Sequence, residues 1–570
     1  MINNEIIAKK LEEYALLLEL KGEDLFKIRA YKKAAENIRK FEGNLVELLK
    51  SDKPAFHIEG IGTHIFQKVS SIIEKGSFKE LDELKLEIPE SLFELFRIPS
   101  LGPKKIYRLY KELGINNIRE LEYACQEHRL KGLKGFGDKI QDQIVQGIAF
   151  IKKTEGRRLY TEVEPVAKTL EDLFKGVSGV TNVAVAGSYR RRLETIKDLD
   201  IVITSEDENI SKKIQALSVC EHIKERGEKK ISFLIDNLPV DVRFFDTSDF
   251  YTALHHLTGS KSHHEKLRAI AKSCGYKLNE YGLYKDNIKI KINTEKKIYD
   301  ILGLKYIIPE MREGLFEFDL VIDENEIVNV NDIKGILHIH SNYSDGINTC
   351  EDIVQDSIKK GFKFIGISDH SKSAYYAGGL GADDLKRQAD EIKKIQEEFP
   401  DIMILHGVES DILSDGSLDY ADNILESLDF VIASVHSNFN MSKDAMTKRI
   451  MCAIDNPYTT IIGHLTSRLI LARKPYEIDF DSIIGRASYT KTIIELNANP
   501  NRLDIDWRYL PQVVREGVFI SINPDAHNIM GLSDYIYGVY MARKGGVTKN
   551  FVLNTFEREI FLKAIKIKRK

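Results

Sequence analysis

Seven short apolar runs follow one another in the second half of the chain, and amphipathic segments separate them. Their sequences are GILHIH, FIGISDH, MILHGVE, FVIASVH, TIIGH, TIIEL and VFISINPDAH. Apolar runs of this length are typical of strands buried on both faces, and strands that alternate with helices form parallel sheets. Seven such strands predict a closed, distorted (β/α)7 barrel over residues 335–570.

Nearly every one of these runs ends at side chains that can bind a metal ion. The candidates are His338, His340, Asp345, His370, Glu409, His436, His464, Asp525 and His527. One histidine at a strand end is usually a hydrogen-bonded rim residue, but ligands at the carboxyl ends of successive barrel strands converge on one mouth. At about three or four protein ligands per ion, the set suits three divalent ions, and mixed imidazole and carboxylate donors favour Zn²⁺ or Mn²⁺.

The first half of the chain has a different pattern, and 570 residues are too many for one hydrophobic core. Residues 1–150 are predicted to be helical, because apolar residues recur at helical spacing in 6–20 and 25–41. From residue 183 the runs VAVAG, DLDIVI, ISFLI and VDVRFF predict strands of an α/β unit. The acidic, irregular residues 316–334 are predicted to be a linker. The fold class is therefore multidomain α and α/β.

Charge and hydropathy restrict how the chain can bind nucleic acid and whether it can span a membrane. A net charge of −4 gives no global attraction to a polyanion, so nucleic acid would have to bind to local basic clusters. One such cluster includes Lys27 beside Tyr31, and the other is the tail 563–570; each could also be a solvated surface. No apolar run is long enough to span a bilayer, which predicts a cytoplasmic protein without a membrane partner.

Three glycine-containing turns join predicted helices in the first half. They carry Gly60 and Gly62, then Gly102, then Gly135 and Gly137. Glycine permits a tight turn and leaves backbone N–H groups at a helix N-terminus free to bind phosphate without reading sequence. One such turn is more often a plain helical corner, but three within 80 residues resemble helix-hairpin-helix motifs. Ser100 replaces the first glycine of the second turn.

Three aspartates on two predicted strands carry the chemistry of the first half. Asp198 and Asp200 are two residues apart and face the same side of a strand, and Asp241 lies on another inner strand. Carboxylates crowded in this way can hold two Mg²⁺ or Mn²⁺ ions that act on a triphosphate. Upstream, Gly187 and Ser188 offer donors to phosphate oxygens, and Arg191 offers a forked cation.

The motif GSYRR, followed by DLD and a later strand aspartate, resembles the DNA polymerase beta-like nucleotidyltransferases. The segments LTGSK, KLR and NEYGL resemble the thumb of family X DNA polymerases. The resemblance covers residues 1–315 and implies a lyase-like DNA-end-binding domain at 1–80, helix-hairpin-helix fingers at 81–150, a palm at 151–250 and a thumb at 251–315. It also implies that Gly259, His264 and Arg268 contact the incoming nucleotide and the template. His264 stands where many relatives have asparagine.

Two further residues matter if the resemblance extends to lyase chemistry. The family uses a lysine at the position of Lys68 as a Schiff-base nucleophile, with a tyrosine matching Tyr31 nearby. A lysine attacks only when burial or neighbouring cations lower the pKa of its amine. Phe26 stands where the eukaryotic lyases have histidine, so an exposed helix lysine remains the alternative for Lys68.

The order of the ligands in the barrel resembles that of the polymerase and histidinol phosphatase (PHP) domain. The order is HxH, SDG, DH, E, H, H and DxH. The segment 495–504, ELNANPNRLD, is similar to the version fused to bacterial family X polymerases, although GHLTSR stands where GHPTGR is common. The resemblance implies 3′–5′ exonuclease activity that prefers Mn²⁺ and admits apurinic-site endonuclease activity.

These features predict a monomeric DNA-directed DNA polymerase that uses dNTPs on gapped or primed DNA in base excision repair, with a nuclease in its barrel. Two alternatives stay open. In one, the barrel is a small-molecule phosphatase of the histidinol phosphatase kind. In the other, the chain is a DNA-binding scaffold with inactive sites, although acids gathered without cations would be costly to keep.

Overall fold

The computed structural model describes residues 4–41, 45, 61–98, 101–152, 156–220, 223–320 and 322–569. They form two compact units, Met1–Ile151 and Lys152–Lys570. None of the described helices is both long enough and apolar enough to cross a lipid bilayer.

The first unit is helical wherever it is described, as predicted. Its α-helices are Asn4–Lys21, Leu25–Lys40, Thr63–Lys75, Lys79–Glu87, Pro103–Leu113, Ile118–Gln126 and Asp138–Lys152, and a 3-10 helix covers Glu90–Arg97. Asp24 caps the second helix, because its Oδ1 accepts a hydrogen bond from the backbone N–H of Phe26 at 2.6 Å. Its inner stripe, which includes Ile28, Ala35 and Ile38, is buried in a core shared with the other helices.

The second unit begins with a five-stranded sheet of order β2-β4-β7-β6-β5 and a small pair, β1 and β3. The strands are β1 Arg158–Leu159, β2 Val180–Val185, β3 Thr195–Ile196, β4 Leu199–Ser205, β5 Ile223–Arg226, β6 Lys230–Ile235 and β7 Leu238–Phe245. The α-helices here are Tyr160–Lys175, Gly187–Arg190 and Ile210–Gln215. All four strands predicted from the sequence are present, and β4 and β7 pair in parallel.

A smaller antiparallel sheet with helices beside it follows in the chain. The strands are β8 Tyr276–Asn279, β9 Gly282–Lys285 and β10 Ile288–Ile290, and the helices are Phe250–Thr258, Lys261–Ser273 and Glu295–Ile301. Leu267, Leu283 and Tyr299 belong to their common core.

The C-terminal half is a parallel seven-stranded barrel in sequential order, as predicted. The strands are β11 Gly335–Ile339, β12 Phe364–Ile367, β13 Met403–Asp411, β14 Phe430–Ser434, β15 Ile461–Ile462, β16 Ile493–Asn497 and β17 Ile520–Asn523. The α-helices are Cys350–Lys359, Ala382–Glu398, Asp422–Ser427, Lys443–Asp455, Phe480–Thr490, Leu510–Arg515, Tyr535–Lys544 and Arg558–Lys566. Beyond the ends of β11 and β17, the N–H of His340 donates to the carbonyl of Ala526 at 2.9 Å, and the N–H of Ala526 donates to the carbonyl of His338 at 3.2 Å. These two bonds close the barrel.

Two segments pack more tightly than their sequences indicate. In 316–334, predicted to be a linker, Val328 is fully buried and its N–H donates to the carbonyl of Val547 at 3.0 Å. In the basic tail, Lys568 donates to the carbonyl of Thr459 at 3.2 Å and to Thr492 Oγ1 at 2.9 Å. At least this lysine of the tail stabilises the barrel and does not lie free in solvent.

Candidate active sites

The strand register of the first sheet brings the three aspartates together. Asp200 on β4 pairs directly with Asp241 on β7, and neighbouring residues of parallel strands in register share a face. Asp198 is two residues before Asp200 and lies at the exposed end of the same face. Burial, and then the charges of Asp198 and Asp241, raise the pKa of Asp200 to about 6. The cluster therefore favours a cation beside it.

Two neighbours already offset part of the charge on Asp241. Ser232 Oγ donates to its Oδ1 at 2.6 Å, and Lys230 Nζ lies 3.1 Å from its Oδ2. The lysine is itself shared with Glu225, at 3.0 Å. Asp241 is thus held in place by the β6 strand beside it.

The glycine turn lies directly against these carboxylates. Gly187 has a φ of +58°, and a Cβ at this position would be 2.2 Å from Asp200 Oδ2. The N–H of Ala186 donates to the carbonyl of Asp200 at 2.7 Å. Only glycine permits this approach, which also places the following Ser188 on the short helix beside the aspartates.

Arg191 contacts residues within 251–315, the predicted thumb. Its Nε lies 3.2 Å from Glu313 Oε1, and its Nη1 donates to the carbonyl of Thr258. A Cβ at Gly259, whose φ is +70°, would be 3.0 Å from Arg191 Nη1. Gly259 and Arg191, predicted separately to bind the nucleotide, are therefore neighbours.

The side chain of His264 is buried. Only 6% of the residue is exposed, and its Nε2 donates to the carbonyl of His256 at 2.8 Å. Burial lowers the pKa of His264 to about 3, so the ring is neutral. Arg268 is exposed on the same helix, and its Nε donates to the carbonyl of His264 at 3.4 Å.

An ion-pair network behind the turn was not predicted. Arg190 Nη1 donates to Glu295 Oε1 at 3.0 Å and to Thr258 Oγ1 at 2.6 Å. Arg312, which is fully buried, donates to the same Glu295 oxygen at 2.7 Å. The Glu295 carboxylate is 105 residues from Arg190, so no local sequence pattern indicates the contact.

In the first unit, the glycines predicted to bind DNA precede helices. Gly62 and Gly102 are the N-caps of Thr63–Lys75 and Pro103–Leu113, and neither cap position offers a side-chain hydrogen bond to the helix. Gly135 has a φ of +91°, and Gly137 precedes the helix that begins at Asp138. Gly60 lies outside the described residues. The geometry at the helix starts suits a phosphate oxygen.

Lys68 lies in a cleft of this unit. Its amine pairs with Glu80 and lies 4.7 Å from the ring centroid of Phe78 and 5.4 Å from that of Tyr14. Tyr31 packs edge-on against Tyr14, and burial raises the pKa of Tyr31 to about 12. The carboxylate and the ring faces stabilise a positive charge on the lysine. Lys27, in contrast, is exposed and lies 3.5 Å from Glu23.

The nine predicted ligands of the barrel converge on one mouth, with Glu409 at its centre. Glu409 Oε1 lies 3.2 Å from His338 Nε2, 3.2 Å from His436 Nε2 and 2.9 Å from His464 Nε2. Its Oε2 lies 2.9 Å from His370 Nδ1 and 3.6 Å from His340 Nε2. Burial alone would raise the pKa of Glu409, but the charges of His436 and its neighbours hold it well below the usual range.

Asp345 and Asp525 lie beside this centre. Asp345 Oδ1 lies 3.7 Å from His370 Nε2 and 3.4 Å from His527 Nε2. Asp525 Oδ1 lies 3.4 Å from His338 Nε2 and 3.3 Å from His340 Nε2. The two carboxylates therefore extend the cluster beyond Glu409.

The donor atoms of the mouth fit metal ions. Within the described residues, four overlapping groups of potential ligands include all nine side chains: His340, Asp345, His370 and His527; His338, His464 and Asp525; His338, His340 and Glu409; His370, Glu409 and His436. Four buried ring nitrogens, His338 Nε2, His370 Nδ1 and both of His340, make no well-aligned hydrogen bond although carboxylate oxygens lie nearby. Atoms buried without a partner are costly unless a ligand binds to them.

A second set of carboxylates, which was not predicted from the sequence, orients the imidazoles. His338 Nδ1 donates to Glu495 Oε1 at 2.6 Å, and His436 Nδ1 donates to Asp411 Oδ1 at 2.8 Å. Each bond fixes the ring so that Nε2 points into the mouth, as is usual for histidines that bind metals. Glu495 also accepts a hydrogen bond from the N–H of His464 at 2.7 Å. The motif ELNANP contains this glutamate and could have indicated it.

Three of the candidate ligands have a backbone conformation that residues other than glycine rarely adopt. The φ angles of His338, His464 and Asp525 are +57°, +22° and +52°. Such conformations cost of order 1–3 kcal/mol each and persist where surrounding contacts impose them. The barrel thus accepts backbone strain in order to aim these side chains.

Four family models match the chain. They are a helix-hairpin-helix domain over residues 2–78, the DNA polymerase beta palm over 158–271, the DNA polymerase beta thumb over 253–313 and the PHP domain over 337–501. In addition, the DNA polymerase/3′-5′ exonuclease PolX of Bacillus subtilis (strain 168) is 38% identical over 554 residues, which is 96% of each chain. The chain belongs to the family X DNA polymerases that carry a PHP domain.

Two further relatives each match only part of this family X polymerase. DNA polymerase lambda of Arabidopsis thaliana is 25% identical over 350 residues, 54% of this chain and 61% of the plant protein. A probable phosphatase of Thermoanaerobacter sp. (strain X514) is 29% identical over 218 residues, 36% of this chain and 84% of the phosphatase. The predicted family and enzyme class, a nucleotidyltransferase palm and a PHP domain in one chain, are confirmed.

Proposed function

We propose that this polymerase fills short gaps in DNA during base excision repair, using dNTPs, and that its PHP barrel removes nucleotides from 3′ ends. The observation that carries the proposal is the register of Asp200 against Asp241 beside the glycine turn, in the same chain as the nine-ligand mouth. The B. subtilis relative is named for both activities. The helix starts at Gly62, Gly102 and Gly137 would hold the DNA backbone.

At the palm, Asp198, Asp200 and Asp241 would bind Mg²⁺ or Mn²⁺, which supplies a Lewis acid for the primer hydroxyl and the triphosphate. The Ser188 hydroxyl and the N–H groups of its turn donate to phosphate oxygens. Arg191 adds positive charge where charge develops on the leaving pyrophosphate.

At the barrel mouth, the nine ligands would hold three divalent ions, Zn²⁺ or Mn²⁺, which supply an activated water and neutralise the phosphodiester. Glu495 and Asp411 keep the rings of His338 and His436 in a fixed tautomer. Most of the nine side chains are buried, so the electrostatic interactions among them are strong.

A gapped primer-template with dNTPs and Mn²⁺ tests both activities in one protein. Asp198→Ala and Asp241→Ala should abolish extension and leave degradation of the 3′ end intact, whereas His338→Ala and His340→Ala should do the reverse. Degradation that survives the loss of both histidines would refute a nuclease in the barrel.

The barrel has a second candidate substrate class, because it also resembles a probable phosphatase. Hydrolysis of a chromogenic phosphate monoester should be much slower than release of nucleotides from DNA at equal enzyme concentration. The reverse ranking would favour a small-molecule phosphatase. Cleavage of a duplex with one abasic site, lost in His340→Ala, would add apurinic-site endonuclease activity.

Lyase chemistry at Lys68 is a further proposal, supported by the open cleft that Lys68 lines and by Tyr31, which packs against the neighbouring Tyr14. The pairing of Lys68 with Glu80 opposes that chemistry, because a carboxylate stabilises the protonated amine. Borohydride should trap the wild-type protein on an abasic 5′-phosphate end and should not trap Lys68→Ala. Lys75→Ala, on the same helix, is the matched control; equal trapping by Lys68→Ala would refute the proposal.

A further inference from the structure

A helix of the barrel, Tyr535–Lys544, packs against the palm at the end of the nucleotide-binding turn. The guanidinium carbon of Arg192 lies 4.0 Å from the ring centroid of Tyr540. The hydroxyl of Tyr537 donates to Glu164 Oε2 at 2.9 Å. The barrel therefore contacts the palm at Arg192, the residue directly after Arg191.

Lys544, the last residue of this helix, is fully buried. Its ammonium donates to the carbonyl of Arg191 at 2.9 Å, to the carbonyl of Glu310 at 3.0 Å and to the carboxylate of Glu313. An ammonium has three N–H bonds, and these three acceptors use all of them. A buried charge so fully satisfied is strongly fixed in position.

Glu313 is shared between this lysine and the side chain of Arg191. Its Oε1 lies 3.2 Å from Arg191 Nε and also accepts from Lys544. Two cations and one carboxylate leave a net positive charge on the group. Without the ammonium, Glu313 would neutralise Arg191, and the guanidinium would be drawn away from an incoming phosphate.

We propose that Lys544 of the barrel is a positioning residue of the polymerase site, which holds the Arg191 backbone and offsets Glu313 so that Arg191 binds the nucleotide triphosphate. The inference rests on the proposed polymerase function. It makes nucleotide binding at the palm depend on a barrel residue that is not one of the nine candidate metal ligands.

The test is single-nucleotide insertion on gapped DNA by the full chain, with KM for dNTP and kcat measured separately. Lys544→Met should raise KM about tenfold, since a loss of about 1.4 kcal/mol in binding is tenfold, and should change kcat by less than about twofold. Adding Glu313→Gln to Lys544→Met should return KM to within about threefold of wild type, because the excess negative charge is gone. Lys360→Met, which removes a barrel lysine bonded to Ser533 at 2.9 Å, is the matched control and should leave KM unchanged.

Thermal unfolding and degradation of the 3′ end report whether each variant is folded. An unchanged KM in folded Lys544→Met, or a double variant no better than the single one, would overturn the inference. If Lys544→Met does not fold, Glu313→Gln alone decides: KM at or below the wild-type value supports the inference, and a raised KM overturns it. A wild-type protein that inserts no nucleotide would instead contradict the proposed polymerase function.

Discussion

The palm carboxylates and the barrel mouth both gather acidic side chains, but they balance that charge differently. At the palm, Asp198 is exposed and Asp200 and Asp241 are half-buried. At the mouth, Glu409 is buried and ring nitrogens of five histidines surround it within 3.6 Å. A triphosphate can bring its own oxygen ligands to an open site, whereas a closed site must supply them from the protein. We therefore expect substrate oxygens to complete the metal coordination at the palm, whereas the protein alone can supply that coordination at the barrel mouth.

The substitution with the largest expected effect should impair nucleotide addition at the palm and leave degradation of the 3′ end unchanged. Asp200→Asn should lower nucleotide addition on the order of 10³-fold, about 4 kcal/mol, because it removes a charge from the centre of the cluster. The rate of 3′ degradation should not change. Rapid-quench primer extension measures the first and release of labelled nucleotide the second, with Glu206→Gln on the same domain as the control. A comparable loss in both activities would mean that the sites are not separate.

The barrel mouth and the palm should also differ in how tightly they retain metal ions. Glu495→Gln should weaken ion binding at the mouth about 10–100-fold, because His338 loses the carboxylate that orients its ring. Metal content after dialysis against a weak chelator, read by elemental analysis, should fall relative to wild type and to the exposed control Glu397→Gln. Polymerase activity restored by adding Mg²⁺ should be the same in all three proteins. Equal metal content in Glu495→Gln would contradict a role for this carboxylate.

Gly187→Ala tests how closely the palm site is packed. The added Cβ would lie 2.2 Å from Asp200 Oδ2 and would also force alanine to adopt a positive φ. The turn must shift, which should lower nucleotide addition about tenfold or more and cost about 1–3 kcal/mol in stability. Primer extension and thermal unfolding measure both effects. Gly156→Ala, where a Cβ meets nothing within 4 Å, is the control and should behave like wild type.

The smallest effect is a pH dependence confined to the palm. In the ion-free protein the pKa of Asp200 is raised to about 6, so below that pH a proton competes with the metal ion. Apparent Mg²⁺ affinity in the nucleotide-addition assay should rise up to about tenfold per pH unit as pH increases towards about 6, and then level off. The same raised pKa means that ionising Asp200 without a cation costs stability as pH rises through about 6. A Mg²⁺ affinity that does not vary between about pH 5 and 7 would argue against a protonated carboxyl in this cluster.

Short-range patterns were enough to predict that the candidate residues of each site lie close together. The spacing of Asp198 and Asp200, and a later strand with Asp241, follow from the two-residue repeat of a strand. The mouth follows from ligands at the ends of successive barrel strands. In each case the chain topology converts a local pattern into a cluster.

What the sequence did not predict depends on contacts between distant residues. Lys544 and Arg191 are 353 residues apart, and Glu495 and His338 are 157 apart. The hydrogen bond from His264 Nε2 to the carbonyl of His256 was not predicted either. Which partner satisfies a buried polar atom is decided by packing, which spacing alone does not encode.

The closure of the barrel between the ends of β11 and β17 determines when the nine candidate ligands can first come together during synthesis. Asp525 and His527 come from the last strand end, and the bonds between His340 and Ala526 form only when that segment has arrived. A chain still emerging from the ribosome therefore carries an incomplete ligand set. The metal-dependent chemistry proposed for the mouth is therefore delayed until the last strand of the barrel has been translated.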